Sequence, residues 1–178
     1  MASYCFTTLP DFVQVNCNQY KSGGGSAIAF LETDHSITDF TSASEWNTAI
    51  AADEATVIKG VKIDFPAASP ATQESPVGCG PENVLTGFDF TLTYIDANVS
   101  ADNDAAYASL NGRSLNVVWY ECEEGEIRVV ERECRVTAVP ATLPSSNKAF
   151  QVYNVTVEWS APYDSYPVRY TAPTGIFV

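Results

Sequence analysis

The chain has 178 residues, of which 46% are hydrophobic and 17% are charged, and its 22 acidic and 9 basic residues give a net charge of −13. Such a length is typical of one domain that can bury a hydrophobic core. The acidic excess argues against sequence-specific binding of nucleic acid and against docking on anionic membranes, because both need clustered Lys and Arg. The charged fraction lies below the roughly 25% of an average protein, which favours a surface that contacts other proteins.

Residues 1–25 predict an N-terminal arm that ends in a flexible hinge, because three consecutive glycines close the segment. The segment lacks the basic and apolar parts of a signal peptide, and no run of 18 apolar residues occurs in the chain. We therefore expect a protein that folds in a cytoplasm and does not cross a membrane.

The five cysteines are spaced too widely for a metal-binding or disulfide-rich framework, and the sequence has no C-x-x-C pair. Free and mostly buried thiols are therefore expected. The cysteines are Cys5, Cys17, Cys79, Cys122 and Cys134.

Residues 26–160 predict a β domain that begins with a short strand at 27–32. Ser42 and Glu45 match a capping box, in which both side chains bind free backbone N–H groups at the start of a helix. That helix is expected to end near Asp53. Three apolar residues fall on one face of the helix: Trp46, Ala49 and Ile50.

A strand is predicted at 57–65, and the proline-rich segment 66–83 that follows is predicted to be a long loop. The segment has four prolines, and proline lacks the backbone N–H that a central strand donates. A loop of this length in a compact domain usually carries contacts or function. We expect it to contact an adjacent subunit, and the alternative is a loop that only wraps its own sheet. The candidate contact residues are Pro70, Pro76 and Pro81.

Alternation of apolar and polar residues predicts strands at 88–94 and 151–159, each with one buried face. Between them a short helix is predicted at 103–111, capped by Asp102 and ended by Gly112. The connections between these elements are mostly short, which favours antiparallel pairing.

Residues 115–120 are apolar on both faces, which predicts a strand that is either central or covered by a partner. The cover is expected to be the helix at 103–111 or a neighbouring chain. An acidic turn at 123–125 predicts a hairpin that returns along 126–130 and continues at 132–139.

Residues 161–178 predict a C-terminal arm, because they combine three prolines with three tyrosines and end in an apolar terminus. We expect both terminal arms to become ordered mainly through contacts with neighbouring subunits. Tyrosines in loops with few charges are typical of contact surfaces. The candidate contact residues of this arm are Tyr163, Tyr166, Tyr170 and Phe177.

Residues that carry chemistry are sparse. His35 is the single histidine, so a serine triad would need it, and no G-x-S-x-G motif accompanies it. Residues 96–102 alternate oxygen-bearing side chains like the start of a calcium loop. Ala101 and Tyr107 replace the glycine and glutamate that such a loop needs. We therefore predict no enzyme activity, no metal site and no cofactor.

Together the elements predict a mainly β fold, an antiparallel β-sandwich or barrel with one or two short helices and extended arms. Three stretches are distinctive: the helical segment 44–50, the segment 106–113 that runs into the apolar strand, and the strand segment 150–159. Together these stretches resemble virion structural proteins of tailed phages that infect Bacteroidetes, including crAss-like phages. The order of elements is also similar to that of tail tube and tail ring subunits, in which a β-sandwich or barrel carries a flanking helix.

The resemblance implies a subunit of a homo-oligomeric ring or tube in the phage tail or neck, through which DNA passes. Its partners would be copies of itself and other tail, neck or portal proteins, in a virion assembled in the host cytoplasm. The resemblance also implies loops that bridge neighbours and no catalytic residues. Two alternatives stay open: an auxiliary or decoration protein of the capsid, and a carbohydrate-binding, adhesin-like β domain that uses exposed aromatic residues.

Overall fold

The structure, a computed structural model, describes residues 25–74, 83–121, 125–139, 151–162 and 166–178. These residues form seven strands and two helices. In chain order they are β1 (Gly25–Leu31), α1 (Ala43–Ala51), β2 (Ala55–Glu74), β3 (Asn83–Asp96), α2 (Ala101–Leu110), β4 (Ser114–Glu121), β5 (Glu126–Val139), β6 (Tyr153–Ala161) and β7 (Val168–Thr171). The predicted mainly β class is confirmed.

Six of the strands close into an antiparallel barrel. Their order is β4-β1-β2-β3-β6-β5, and pairing between β4 and β5 closes the circle. The seventh strand, β7, pairs with β5 outside this circle. Residues 131–133 of β5 bulge opposite Asn116 of β4, where β5 changes its other neighbour from β7 to β6. The bulge thus lets the long strand β5 pair with β4, β6 and β7.

The barrel interior is filled by side chains that alternate along the strands, as period-two patterning requires. On β6, Tyr153, Val155, Val157 and Trp159 all point inward and are buried, which confirms the strand predicted from this alternation. Interior side chains from the other strands include Ile28, Phe30, Leu92, Tyr94, Leu115, Val117, Trp119 and Val136.

Helix α2 packs against one end of the barrel through Ala106, Tyr107 and Leu110, which belong to the interior cluster. Its N-cap is Ser100, whose hydroxyl accepts a hydrogen bond of 3.1 Å from the backbone N–H of Asn103. The predicted cap Asp102 is therefore wrong, because it lies inside the first turn. A hydroxyl at the residue before the helix reaches the free N–H groups that a side chain inside the first turn does not.

A second hydrophobic cluster covers the outer face of β1, β4 and the start of β2 and β5. It explains the strand that is apolar on both faces: Val117 of β4 points into the barrel, and Val118 points into this outer cluster. The predicted cover, either the helix now called α2 or a neighbouring chain, is wrong. The cover is α1, the segment before it and the C-terminus, through Ile37, Phe40, Trp46, Ala49, Ile176 and Phe177.

Helix α1 begins at the predicted cap, but the second half of the capping box is wrong, because the Ser42 N–H donates to the carbonyl of Asp39 and not to Glu45. Ser42 is its N-cap and accepts a hydrogen bond of 3.4 Å from the backbone N–H of Glu45. The Glu45 carboxylate binds the preceding loop, where it accepts hydrogen bonds from the backbone N–H groups of Thr38 (2.7 Å) and Asp39 (2.9 Å). The indole N–H of Trp46 donates to the carbonyl of Phe40 at 2.9 Å. These contacts fix the outer cluster to the helix start.

The predicted C-terminal arm at 161–178 is wrong for the described residues 166–178. Strand β7 pairs with β5 of its own chain, and Phe177 is fully buried. Its ring packs against Trp46 at 5.0 Å and against Tyr120 at 6.1 Å, measured between ring centroids. Burial of apolar surface inside the chain therefore anchors the terminus. The predicted N-terminal arm lies outside the described residues except for Gly25, which begins β1.

Candidate interaction surface

A two-stranded arm projects beyond the barrel. Strand β2 pairs with β1 only as far as Ile63, and β3 pairs with β6 only from Phe88 onward. Residues 66–74 of β2 therefore pair only with β3, and residues 83–87 of β3 pair only with β2, among the described strands. We call these two segments the arm. The predicted loop at 66–83 is wrong for residues 66–74, which are strand.

The arm tolerates prolines because of where they lie. Between the pairs Asp64–Thr93 and Ala67–Thr91 the register shifts by one, so that Pro66 lies in a β-bulge. Pro70 pairs with Phe88 at a point where β2 has no second neighbour in the described chain. A nitrogen without a proton costs no ladder bond at a bulge or on an edge strand. Proline content excluded a central strand here, but it did not exclude an edge strand.

The arm is largely exposed, and Glu74 at its end is its one charged residue. Residues 67–70, 72 and 73 of β2 are exposed, and so are Leu85 and Thr86 of β3. Leu85 is 45% exposed although it is a large apolar residue. No charged residue occurs in 65–73 or 83–88, in a chain whose net charge is −13. Proteins commonly blunt open strand edges with charges, so this arm lacks one common protection against pairing with another chain.

An aromatic cluster lies at the base of the arm. Phe90 stacks on Trp159 with ring centroids 5.2 Å apart. Tyr166 packs against Phe88 and against Phe90, at 6.4 Å in each case. Tyr166 nevertheless leaves 63% of its surface exposed. The cluster therefore presents an exposed aromatic side chain on a rigid, packed base, an arrangement that is common at contact surfaces.

Two grooves flank this cluster. One is lined by Ala71, Thr86 to Asp89, and the end of β6 with Pro162. A Cβ on Gly87 would lie 2.3 Å from the carbonyl oxygen of Ala161, so only glycine allows this close approach of β3 and β6. The other groove is lined by Val129 to Arg132, Trp159 and Tyr166 to Val168.

The structure sorts the sequence-predicted contact residues into three groups. Pro70 and Tyr166 are exposed at this surface. Tyr170 is half-buried against the Phe40 ring at 5.4 Å, and Phe177 is buried, so the prediction of an intersubunit contact is wrong for Phe177. Pro76, Pro81 and Tyr163 lie outside the described residues.

Sequence reasoning missed Leu85 and Val168. Both are large apolar residues on the surface, at 45% and 49% exposure. A register shift between Ala71 and Thr72 interrupts the alternation near Leu85, and β7 is only four residues long. Too few residues alternate at either place to show which side chains face outward.

His35 lies in the loop before α1 and is half-buried. Its ring packs edge-on against Phe40, with ring centroids 5.8 Å apart, and its Nδ1 has no hydrogen-bond partner among the residues that the structure describes. The neighbouring Ser36 donates its backbone N–H to Glu54 at 2.8 Å. The His35 ring therefore packs within the loop before α1, next to a backbone hydrogen bond that holds this loop.

The oxygen-rich segment that resembles a calcium loop is used to hold α2. Asp96 accepts hydrogen bonds from the backbone N–H of Asn98 and from the hydroxyl of Tyr107, each at 2.7 Å. Tyr153 donates its hydroxyl to Asp104 at 2.7 Å, and burial together with this carboxylate raises the pKa of Tyr153 to about 12. In the described part of the chain, no three His, Cys, Asp or Glu side chains group to hold a metal ion.

Cys134 is a free thiol buried in the barrel interior, as the sequence predicts. Burial raises the pKa of this thiol to about 12, because the interior disfavours a thiolate. The other four cysteines lie outside the described residues.

Comparison of the chain with protein-family models finds no match, and comparison with curated proteins finds no similar sequence. Neither of the helices in the described ranges is long and apolar enough to cross a membrane. The surface around the arm must therefore be interpreted from its own physical features.

Proposed function

We propose that this chain is a structural subunit that assembles with copies of itself, in a ring or tube of a phage tail or neck. The arm is the observation that carries this proposal. It extends two strands beyond the barrel, and residues 67–70, 72, 73, 85 and 86 of these strands are exposed and uncharged. The assignment to a virion rests on the resemblance of three sequence stretches to phage structural proteins.

An isolated two-stranded hairpin is only marginally stable in water. An exposed, uncharged strand edge is also a template for pairing with another chain. The arm gains both apolar burial and backbone hydrogen bonds if a neighbouring subunit covers it. A chain with such an element is therefore better suited to an assembly than to a monomeric state.

The filled barrel and the acidic charge agree with this role. Large side chains such as Trp119 and Trp159 occupy the barrel interior, so the subunit is suited to be part of a wall. DNA would then pass through the lumen of the assembled ring. A net charge of −13 per subunit repels the phosphate backbone, which would keep DNA from binding to the wall during passage.

The test is the mass of the purified full-length chain by sedimentation velocity, compared with a variant whose arm is shortened to a two-residue turn. We expect discrete assemblies for the natural chain and folded monomers for the variant. A second variant, with Ser69→Lys and Thr72→Lys, keeps the arm and adds charges to its exposed surface. Assemblies of natural size from both variants would contradict the proposal, and so would a natural chain that stays monomeric.

A carbohydrate-binding function is a second candidate, favoured by the groove beside Tyr166. Its lining combines an exposed aromatic ring with Glu131 and Arg132, and sugars bind to aromatic faces and to charged hydrogen-bonding groups. Titration with a panel of oligosaccharides, followed by tryptophan fluorescence from Trp159, tests it. Saturable binding by a monomeric chain would favour this candidate over the structural subunit. The capsid decoration alternative would be supported by antibody labelling of capsids and not of tails.

A further inference from the structure

Besides the edge of β2 that carries Pro66 and Pro70, two strand edges at the arm and its base have no neighbour among the described strands. The first is the outer edge of the β3 segment 83–87, because β6 ends opposite Phe88. The second is the outer edge of β7, which pairs with β5 on its other side only. An unpaired edge presents backbone N–H and C=O groups that a strand from another molecule can bind.

Exposed large apolar side chains are found at these two edges. Leu85 lies on the first edge, Val168 lies on the second, and Tyr166 lies two residues before Val168. The two prolines of the arm, Pro66 and Pro70, are on β2, so they leave the β3 edge free of proline. Each edge thus combines backbone groups that pair with no described strand and apolar side chains that association would bury.

We propose that the β3 edge of the arm in one copy pairs with the β7 edge of a second copy, so that Leu85 packs against Tyr166 and Val168 of that copy. This inference rests on the proposed function, because it names the contact through which the copies assemble. The two edges are different surfaces, and a contact between unlike surfaces generates rings when the rotation closes and tubes or filaments when it does not.

Charge favours a second copy of this chain as the occupant. Two molecules with a net charge of −13 each repel one another wherever their acidic side chains meet. Residues 83–88 and 166–168 contain no charged side chain, so the copies approach here without that repulsion. Arg169 on β7 is paired with Glu126 of its own chain at 3.3 Å, which neutralises the one charged side chain of that strand.

The experiment compares two edge variants with two matched controls. The edge variants are Leu85→Glu and Val168→Glu. The controls are Ile95→Glu on β3 and Val139→Glu on β5, which are also exposed apolar strand residues, at 37% and 51%, but lie away from the two edges. Sedimentation velocity over a concentration series gives the midpoint of assembly. We expect the edge variants to raise this midpoint at least about tenfold, because a charge buried without a partner opposes association, and the controls to leave it unchanged.

A charge-swap pair tests the contact directly. Leu85→Lys combined with Val168→Glu in one chain places opposite charges on the two sides of every contact, and we expect assembly to recover. Leu85→Glu combined with Val168→Glu places like charges there, and we expect assembly to be lost. All four positions are exposed, so the variants should keep the fold, and thermal unfolding of each checks this.

The outcomes separate the inference from the proposed function. If the natural chain assembles and the edge variants assemble with the same midpoint, the inference is wrong and the proposed function stands. The inference is also wrong if the controls weaken assembly as much as the edge variants do, or if the charge swap brings no recovery. If the natural chain stays monomeric at every concentration, both are wrong.

Discussion

The hydroxyl of Tyr107 on α2 donates a hydrogen bond of 2.7 Å to Oδ2 of Asp96 at the end of β3. Asp96 is buried, and its other oxygen accepts the backbone N–H of Asn98. Burial raises the pKa of the Asp96 carboxyl, because the charged form loses solvation. Helix α2 is thus held at the end of the barrel by the buried hydrogen bond between Tyr107 and Asp96.

Tyr107→Phe should lower the free energy of unfolding by about 1–3 kcal/mol, because it leaves Asp96 with one hydrogen bond fewer in a buried place. The control is Tyr166→Phe, whose ring is exposed, and it should leave the free energy of unfolding unchanged. Urea unfolding followed by fluorescence measures both. Equal effects of the two changes would show that the Tyr107–Asp96 contact contributes nothing specific.

The raised pKa of Asp96 predicts a definite pH dependence. The folded chain holds the Asp96 proton more tightly than the unfolded chain does, so this group adds stability as pH falls toward its raised pKa. The natural chain should therefore gain stability relative to Asp96→Asn when pH is lowered from 7 toward 5. The measurement is the difference in melting temperature between the two proteins across this range. A difference that is constant with pH would contradict the burial of an ionisable group at this position.

Glu45 predicts the opposite sign. Hydrogen bonds from the backbone N–H groups of Asp39 and Thr38 hold the pKa of Glu45 below its usual value. Its contribution to stability is therefore present above the pKa of the unfolded chain, and it is lost as pH falls through the lowered pKa of the folded chain. Glu45→Gln should lower the melting temperature at pH 7, and the two proteins should converge in acid. Asp34→Asn, in the exposed loop before α1, serves as the control for the loss of one surface charge.

The sequence predicted the elements whose signal is local. The alternation that ends at Trp159 and the cap at Ser42 each need only neighbouring residues, and the structure confirms both. The loop predicted around Pro70 is wrong, because a proline weakens a strand only where its nitrogen faces a neighbouring strand. That is a property of the tertiary fold, which no local window contains.

The C-terminus shows even more strongly that local sequence does not contain the tertiary contacts of a residue. Phe177 contacts Trp46 across most of the sequence, and nothing in the last residues indicates that partner. An apolar terminus is compatible with burial in its own chain and with burial in a neighbour, and the predicted burial in a neighbour is wrong for Phe177. At the arm, the sequence indicated a contact surface, but the edges that carry Leu85 and Val168 appear only when the strands are paired.

Phe177→Ala distinguishes burial in the chain from an intersubunit contact. We expect the free energy of unfolding to fall by about 3–5 kcal/mol, because the change leaves a cavity between Trp46 and Tyr120. The control Val178→Ala, at an exposed side chain, should have little effect. Unfolding is measured in the arm-shortened variant, where assembly does not contribute. Unchanged unfolding would contradict the core position of Phe177.

Particle images of the purified full-length chain test directly whether copies of this chain assemble into a ring or tube. Negative-stain electron microscopy shows whether the molecules form closed rings or tubes, or remain separate particles of the size of one subunit. We expect rings or tubes of uniform diameter for the natural chain. Single subunits alone, in a preparation that is folded and concentrated, would contradict this expectation.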